Sequence, residues 1–343
     1  MIRKALAILF LLLIALAGIF GWRGWQAMRQ PLTLPEEGLV FQLKPGASLR
    51  TLSRQLAAQG VVANPWYVEI QARWLDKGGA IQAGEYRLTP PMTIPDLLRK
   101  LRQGDALQHR FTIVEGTRFR DFARQLAEMA KQGLIRATIE DGQYAAAFRK
   151  LTGQPHEEGW IFPDTYQYSR NNTDRALMRE AYRKMKATLD KNWTSRQKDL
   201  PLKTPYEALI LASIVEKETG VASERPIIAG VFVRRLRKGM KLQTDPTVVY
   251  GMGERYQGNI RKADLKRDTP YNTYTRKGLP PTPISLPGAG AIEAVTHPND
   301  TGALFFVAKG GGRHHFSKTY KEHRAAVIKY LLGGKAKRYK GDS

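Results

Sequence analysis

Phe41-Gln-Leu-Lys-Pro-Gly46-Ala-Ser-Leu-Arg50-Thr-Leu-Ser-Arg54-Gln55-Leu56-Ala57 recurs without a gap, 70 residues on, as Phe111-Thr-Ile-Val-Glu-Gly116-Thr-Arg-Phe-Arg120-Asp-Phe-Ala-Arg124-Gln125-Leu126-Ala127. Phe, Gly, both Arg, Gln, Leu and Ala return in register. Each copy opens with alternation, Phe41-x-Leu43 and Phe111-x-Ile113, which suits a half-buried strand. Each turns at a glycine and then changes period. Leu49, Leu52 and Leu56 share one helical face, as do Phe119, Phe122 and Leu126. The reading is a strand–turn–helix unit present twice, with Ser48 as N-cap of the first helix.

This unit resembles the start of a LysM-like module, a small glycan-binding fold. The alternative is a scaffold repeat with no glycan affinity, because fold alone never proves a site. Between the copies, Gly84–Leu88 reads as a further strand and Met92–Gln103 as an amphipathic helix.

Ahead of the repeat, Arg3 and Lys4 precede an uncharged run from Ala5 to Trp22. That is about the length of a membrane-crossing helix. Trp22 and Trp25 flank Arg23 where interfacial aromatics are expected. Ala15-Leu16-Ala17 offers the competing reading of a cleaved leader, but Ile19, Phe20 and Trp22 continue the apolar run beyond it. Basic residues on both flanks leave the orientation open by charge. A short cytoplasmic tail with a translocated C-terminal part is the simpler arrangement. Gln30–Gly38, with Pro31 and Pro35, reads as a linker.

The chain carries 55 Lys+Arg against 31 Asp+Glu, a formal net charge of +24. Such an excess suits an anionic partner: nucleic acid, a membrane surface or an acidic polymer. There is no cysteine. Disulfides, thiol nucleophiles and Cys-based zinc sites are excluded.

The second half has a different texture. Trp160, Phe162, Tyr166 and Tyr168 fit either sugar stacking or a core, and aromatics more often pack cores. Ala176–Trp193 reads as a long basic helix, with Thr173 and Asp174 at its start. Tyr206–Gly220 reads as a buried helix opened by Pro205 and stopped by Gly220. Leu211, Val215 and Glu218 lie on one face. That sets a carboxylate at the end of an apolar stripe, where desolvation favours the protonated acid. Glu216 lies roughly 200° around the helix from Glu218, which speaks against a close carboxylate pair. Spacing alone leaves open which glutamate acts, or whether both are merely solvated.

The residues Ala212-Ser-Ile-Val-Glu216-Lys-Glu218-Thr, followed by Ser223-Glu224-Arg225, resemble the active-site signature of the MltG/YceG family of endolytic murein transglycosylases. Leu242-Gln-Thr-Asp245-Pro-Thr-Val-Val-Tyr250-Gly, Tyr271-Asn272-Thr-Tyr274 and Gly278-Leu-Pro-Pro281 extend the resemblance over nearly the whole chain. Thr282 and Leu286 depart from the usual pattern. The resemblance implies Glu218 as a single acid and then base. It would cut the MurNAc–GlcNAc bond of peptidoglycan and leave a 1,6-anhydro-MurNAc end. No metal or cofactor is implied. Peptidoglycan synthases are implied as partners, and nucleic acid is not. Gln243, Thr244, Asp245, Asn272 and Tyr274 are candidate cleft residues, although several also suit turns. Glu224 and Arg225 are candidates for a supporting ion pair.

His314, His315 and His323 lack zinc-ligand spacing. Gly310–Gly312 reads as a hairpin turn and Tyr320–Leu332 as a closing helix. The expected fold class is α+β: an anchor and tail over 1–24, a linker over 25–38, a LysM-like βα region over 39–154, a mixed catalytic domain over 155–335 and a basic tail over 336–343. The rival function is a membrane-anchored, non-catalytic peptidoglycan-binding scaffold.

Overall fold

In the computed structural model, residues 2–74 and 80–335 are described, with the side chains of 2–9, 17, 20, 27 and 28 excepted. The expected tail over 336–343 lies outside these. The architecture is mixed α and β, with three two-stranded sheets among the described residues. The chain forms two compact units. The first is Met1–Arg110 with Gly133–Arg136 and Gln167–Asn172; the second is Phe111–Gln132, Ala137–Tyr166 and Thr173–Ser343. This division differs from a boundary at residue 154, because most of the second repeat belongs to the second unit.

The first unit begins with α1 (Ile2–Arg29). Among the described residues no helix is long and apolar enough to cross a membrane. Part of the expected span, the side chains of 5–9, 17 and 20, lies outside them. There follow β1 (Leu39–Leu43), α2 (Leu49–Ala58), α3 (Pro65–Trp74), β2 (Gly84–Leu88) and α4 (Ile94–Gln103). β1 and β2 pair antiparallel, with Phe41 opposite Tyr86. Phe41, Leu52, Leu56, Tyr86, Leu97 and Leu101 form a shared core. Ser48 caps α2 by accepting from the Thr51 N–H at 3.1 Å.

The duplication extends further than the sequence match. The second copy runs β3 (His109–Thr112), α5 (Phe119–Lys131), α6 (Tyr144–Thr152), β4 (Thr165–Tyr168) and α7 (Asp174–Thr194), the same β-α-α-β-α order. Gly46 and Gly116 take left-handed φ values of 78° and 75°, which explains glycine at both turns. Gln55 Nε2 donates to the Gln42 carbonyl at 2.9 Å, and Gln125 Nε2 donates to the Thr112 carbonyl at 3.3 Å. Tyr86 OH donates to the Gln82 carbonyl and Tyr166 OH to the Phe162 carbonyl, each at 2.7 Å. Thr93 and Thr173 cap α4 and α7 by the same side-chain bond. Trp160, Phe162, Tyr166 and Tyr168 are all buried, so packing rather than sugar stacking accounts for them.

α8 (Pro205–Glu218) is the axis of the second unit. Thr204 caps it and Pro205 occupies its first turn. Every residue from Ala208 to Val215 is buried, because α7, α9 (Arg225–Arg237) and α12 (Ala289–Thr296) pack around it. Within that buried stretch the Ser213 hydroxyl donates to the Ile210 carbonyl at 2.7 Å and accepts from the Ile284 N–H at 2.9 Å. It thereby holds the proline-rich segment against the helix. α10 (Asp245–Met252) and the short α11 (Lys262–Lys266) lie between α9 and α12 in the chain. β5 (Phe305–Gly310) and β6 (Arg313–Ser317) form the expected hairpin, turning at Gly311 and Gly312 with φ of 62° and 71°. α13 (Tyr320–Tyr330) closes the unit.

Asp174 does more than start α7. Fully buried, it accepts from the Thr138 N–H at 3.0 Å, the Ile139 N–H at 3.1 Å and the Tyr144 hydroxyl at 3.4 Å. One carboxylate at a helix N-terminus thus fixes the loop before α6. Asp174→Asn turns an acceptor into a donor facing N–H groups. It is expected to destabilise the protein by about 2–3 kcal/mol, read as a lowered urea midpoint with an unchanged slope.

Candidate active site

Glu218 ends α8. The following residue, Thr219, is extended (φ −146°, ψ 135°), and this stops the helix. Gly220 does not take the left-handed conformation expected of a glycine stop. The Glu218 residue keeps some surface, but its carboxyl is enclosed. Burial pushes that carboxyl up to about 7, and the Asp245 charge adds to the rise. A Thr244 hydrogen bond and the charges of His314 and Arg235 oppose it.

Thr244 sits at the N-cap position of α10, yet it makes no side-chain cap bond there. Its hydroxyl donates to Glu218 Oε1 instead. Thr244 is itself buried, and its N–H donates to Thr273 Oγ1 at 3.1 Å. The preceding Gln243 takes a left-handed φ of 51°, an uncommon conformation for a residue with a side chain. Its N–H donates to the Thr273 carbonyl at 3.1 Å, and its Oε1 accepts from Arg235 at 3.3 Å. Backbone and side chain of Gln243 are therefore both held. Arg235 is buried and also donates to the carbonyls of Leu304 at 2.7 Å and Leu242 at 2.8 Å. A buried cation with several acceptors thus fixes the segment that delivers Thr244 to Glu218.

Asp245 opens α10 and accepts from the Tyr274 hydroxyl at 2.6 Å. Gln243, Thr244, Asp245 and Tyr274 are therefore brought together and, through Thr244, joined to Glu218. Asn272 is different. It is 1% exposed, and its amide donates to the carbonyls of Arg267 at 2.7 Å and Leu265 at 3.0 Å. Its Oδ1 accepts from the Tyr274 N–H at 2.8 Å. With its polar atoms spent on the loop, Asn272 shapes the site and is not free to contact a ligand.

The expected ion pair between Glu224 and Arg225 does not form. Adjacent residues at the start of α9 point to different partners. Glu224 accepts from the His314 N–H at 2.9 Å and from His314 Nδ1 at 2.8 Å. Burial would raise the Glu224 carboxyl, but these bonds and the His314 charge hold it below its ordinary range. Arg225 donates to Glu216 at 3.0 Å and to Glu115 at 3.2 Å.

The two glutamates of Glu216-Lys-Glu218 thus have different surroundings. Glu216 also accepts from the Gly288 N–H at 2.9 Å. Burial still raises its carboxyl, against the Gly288 bond and the Arg225 charge. Lys217 donates to the Gly116 carbonyl at 3.1 Å, which ties the repeat's glycine turn to α8. Sequence reasoning missed Arg235, which sits in a basic Arg-Arg-Leu-Arg run like many solvated ones. It weighed His314 only as a metal ligand. The signal available for either was proximity, which spacing does not carry.

Arg225→Ala leaves Glu216 buried and without its cation. A loss of about 3 kcal/mol is expected on the scale of broken buried pairs, measured by denaturant unfolding. The double variant Arg225→Ala/Glu216→Gln is expected to recover part of it, since no uncompensated charge then remains.

The YceG-like family model matches residues 41–329. An endolytic murein transglycosylase of Bacillus subtilis is 30% identical over 306 residues, covering 85% of this chain and 84% of that protein. One from Streptococcus pneumoniae serotype 2 is 28% identical over 367 residues, covering 96% of this chain and 65% of that protein. A crystal structure of a yceG-like protein from Listeria monocytogenes superposes with a TM-score of 0.52 at 28% identity, covering 85% of this chain and all of that one. With the match spanning both copies of the repeat and the Glu218 site, the chain belongs to the YceG-like family.

Proposed function

We propose that this protein is an endolytic lytic transglycosylase of peptidoglycan, with Glu218 as its catalytic acid and base. The observation that carries the reading is the Glu218 carboxyl, pushed up to about 7 at the end of a buried helix. An acid that keeps its proton near neutrality can donate it to the oxygen bridging MurNAc and GlcNAc. The resulting carboxylate can then take the proton from the C6 hydroxyl as that oxygen closes on C1. The bridging C1–O bond breaks, a C6–O–C1 bond forms, and no water enters. One carboxyl serves both steps, unlike the two that hydrolysis ordinarily uses. The relatives named as endolytic murein transglycosylases support the substrate class.

In this reading Gln243, Asp245 and Tyr274 line the cleft, and Thr244 orients Glu218. Glu224 and Arg225 act indirectly, through His314 and Glu216. The β-α-α-β-α copies serve as LysM-like glycan-binding modules. α1 serves as a single-pass anchor that holds the catalytic unit outside the inner membrane. Its successive residues Phe10, Leu11, Leu12, Leu13 and Ile14 are each more than half exposed, so apolar surface faces outward all round the helix. Such a helix suits lipid better than water. Peptidoglycan synthases, which make the strands this chemistry would end or trim, are the implied partners.

The full chain in detergent, incubated with purified peptidoglycan, is expected to release fragments with 1,6-anhydro-MurNAc ends by mass spectrometry. Glu218→Gln is expected to lower the rate by roughly a thousandfold. Reducing ends would instead indicate hydrolysis, and strands bound but uncut would favour the scaffold. The sign of the pH dependence follows from the raised carboxyl. The acid form is populated below about 7 and lost above it, so kcat/KM is expected to fall as pH rises through that value.

A further inference from the structure

A cleft of about 970 Å³ opens on the second unit, between α5, the loop before α6, and Tyr250. Glu158 forms part of its wall and is buried. Glu158 Oε1 accepts from the Phe119 N–H at 2.8 Å, and Oε2 accepts from the Tyr250 hydroxyl at 3.1 Å. Both oxygens accept, so Glu158 pins the start of α5 to α10. Tyr250 lies five residues past Asp245 on α10, about 7.5 Å of helix rise. The cleft therefore begins close to the Glu218 site, along the helix that Thr244 and Asp245 open.

The walls combine apolar residues such as Phe119 and Ile139 with a cluster of charged ones. Arg118 lies over the Tyr250 ring, 4.9 Å from its centroid. Arg120, Arg124 and Lys131 line the same cleft along α5. Arg120 and Arg124 approach Asp121 only at 3.9 and 3.7 Å, and both side chains are more than half exposed. Glu128 and Asp141 add negative charge to the lining. Sugar hydroxyls also hydrogen-bond to such side chains, but an uncharged glycan gains no ion pair from them. A short peptide with free carboxylates and an amine uses both signs, and planar guanidinium groups bind carboxylates in two-pronged fashion.

We propose that this cleft, walled by Arg118, Arg124, Glu158 and Tyr250, binds the carboxylate-bearing stem peptide of the peptidoglycan strand whose glycan occupies the Glu218 site. This rests on the transglycosylase reading. It makes the enzyme a reader of peptide substitution, favouring strands that still carry their peptides. Peptide binding near the cut supplies affinity without touching the reacting atoms, so its effect falls mainly on KM.

The test compares peptide-bearing strands with the same strands stripped by an amidase, using the full chain in detergent. The ratio of kcat/KM for peptide-bearing over stripped strands is expected to exceed one. In Arg118→Ala/Arg124→Ala it is expected to fall roughly tenfold, through KM, as for loss of a charge-assisted hydrogen bond. Arg124→Ala alone, at a position whose side chain is 76% exposed, gives a smaller fall in the same direction without disturbing the Tyr250 contact. Equal ratios in the native protein and all variants would overturn the proposal while leaving the catalytic reading intact. If the native chain cuts neither substrate, the catalytic reading has failed. Calorimetric titration with free stem tetrapeptide then decides the cleft: binding that the double variant loses supports it, and equal or absent heats overturn it.

Discussion

The structure depends on the cost of keeping a carboxyl out of water at the end of α8. A carboxylate resists burial unless a cation or several donors stabilise it. Glu218 receives one hydroxyl donor, from Thr244, and more distant charges of both signs. That is too little to hold it ionised, so it keeps its proton to about 7. Much of the second unit serves this condition. α7, α9 and α12 wrap α8 and leave its central turns without a polar face. Arg235 and Thr273 hold Gln243 at a left-handed φ, so that Thr244 can turn its hydroxyl away from its own helix.

Glu216 shows what the alternative surroundings do. Two residues earlier on the same helix, it has a direct cation in Arg225 and a backbone N–H from Gly288. These contacts tie α8 to the glycine turn of the second repeat, with Lys217 reaching Gly116 and Arg225 reaching Glu115. The second copy of the repeat is thereby part of the scaffold that fixes α8. It serves this end of the molecule, whatever affinity either copy has for glycan.

Much of this was legible in the residues. The repeat was visible because glycine at a left-handed turn and glutamine bonded to the strand are demands of the same local geometry, made twice. Its later half was hidden. There the two copies share a tyrosine hydroxyl bond, a threonine cap and a buried leucine, Leu97 and Leu177, on a different offset, and most neighbouring side chains differ. α8 was legible from its largely apolar run and its leading proline. Its stop was misread, because an extended Thr219 rather than a left-handed Gly220 ends it. Asn272 looked like a ligand-binding amide, but its donors close a loop. The Glu224 and Arg225 side chains looked like a pair because they are neighbours in the chain, and they diverge to His314 and Glu216. Partners far apart in sequence leave no trace in spacing.

The decisive measurement is the titration of Glu218 itself. Carboxyl carbon-13 NMR of the glutamate-labelled protein, with Glu218→Gln to assign the signal, would follow its ionisation across the neutral range. A midpoint near 7 is the predicted result. A midpoint near the ordinary glutamate value of about 4.3 would contradict the account, because Glu218 would then be ionised at neutral pH and have no proton to give.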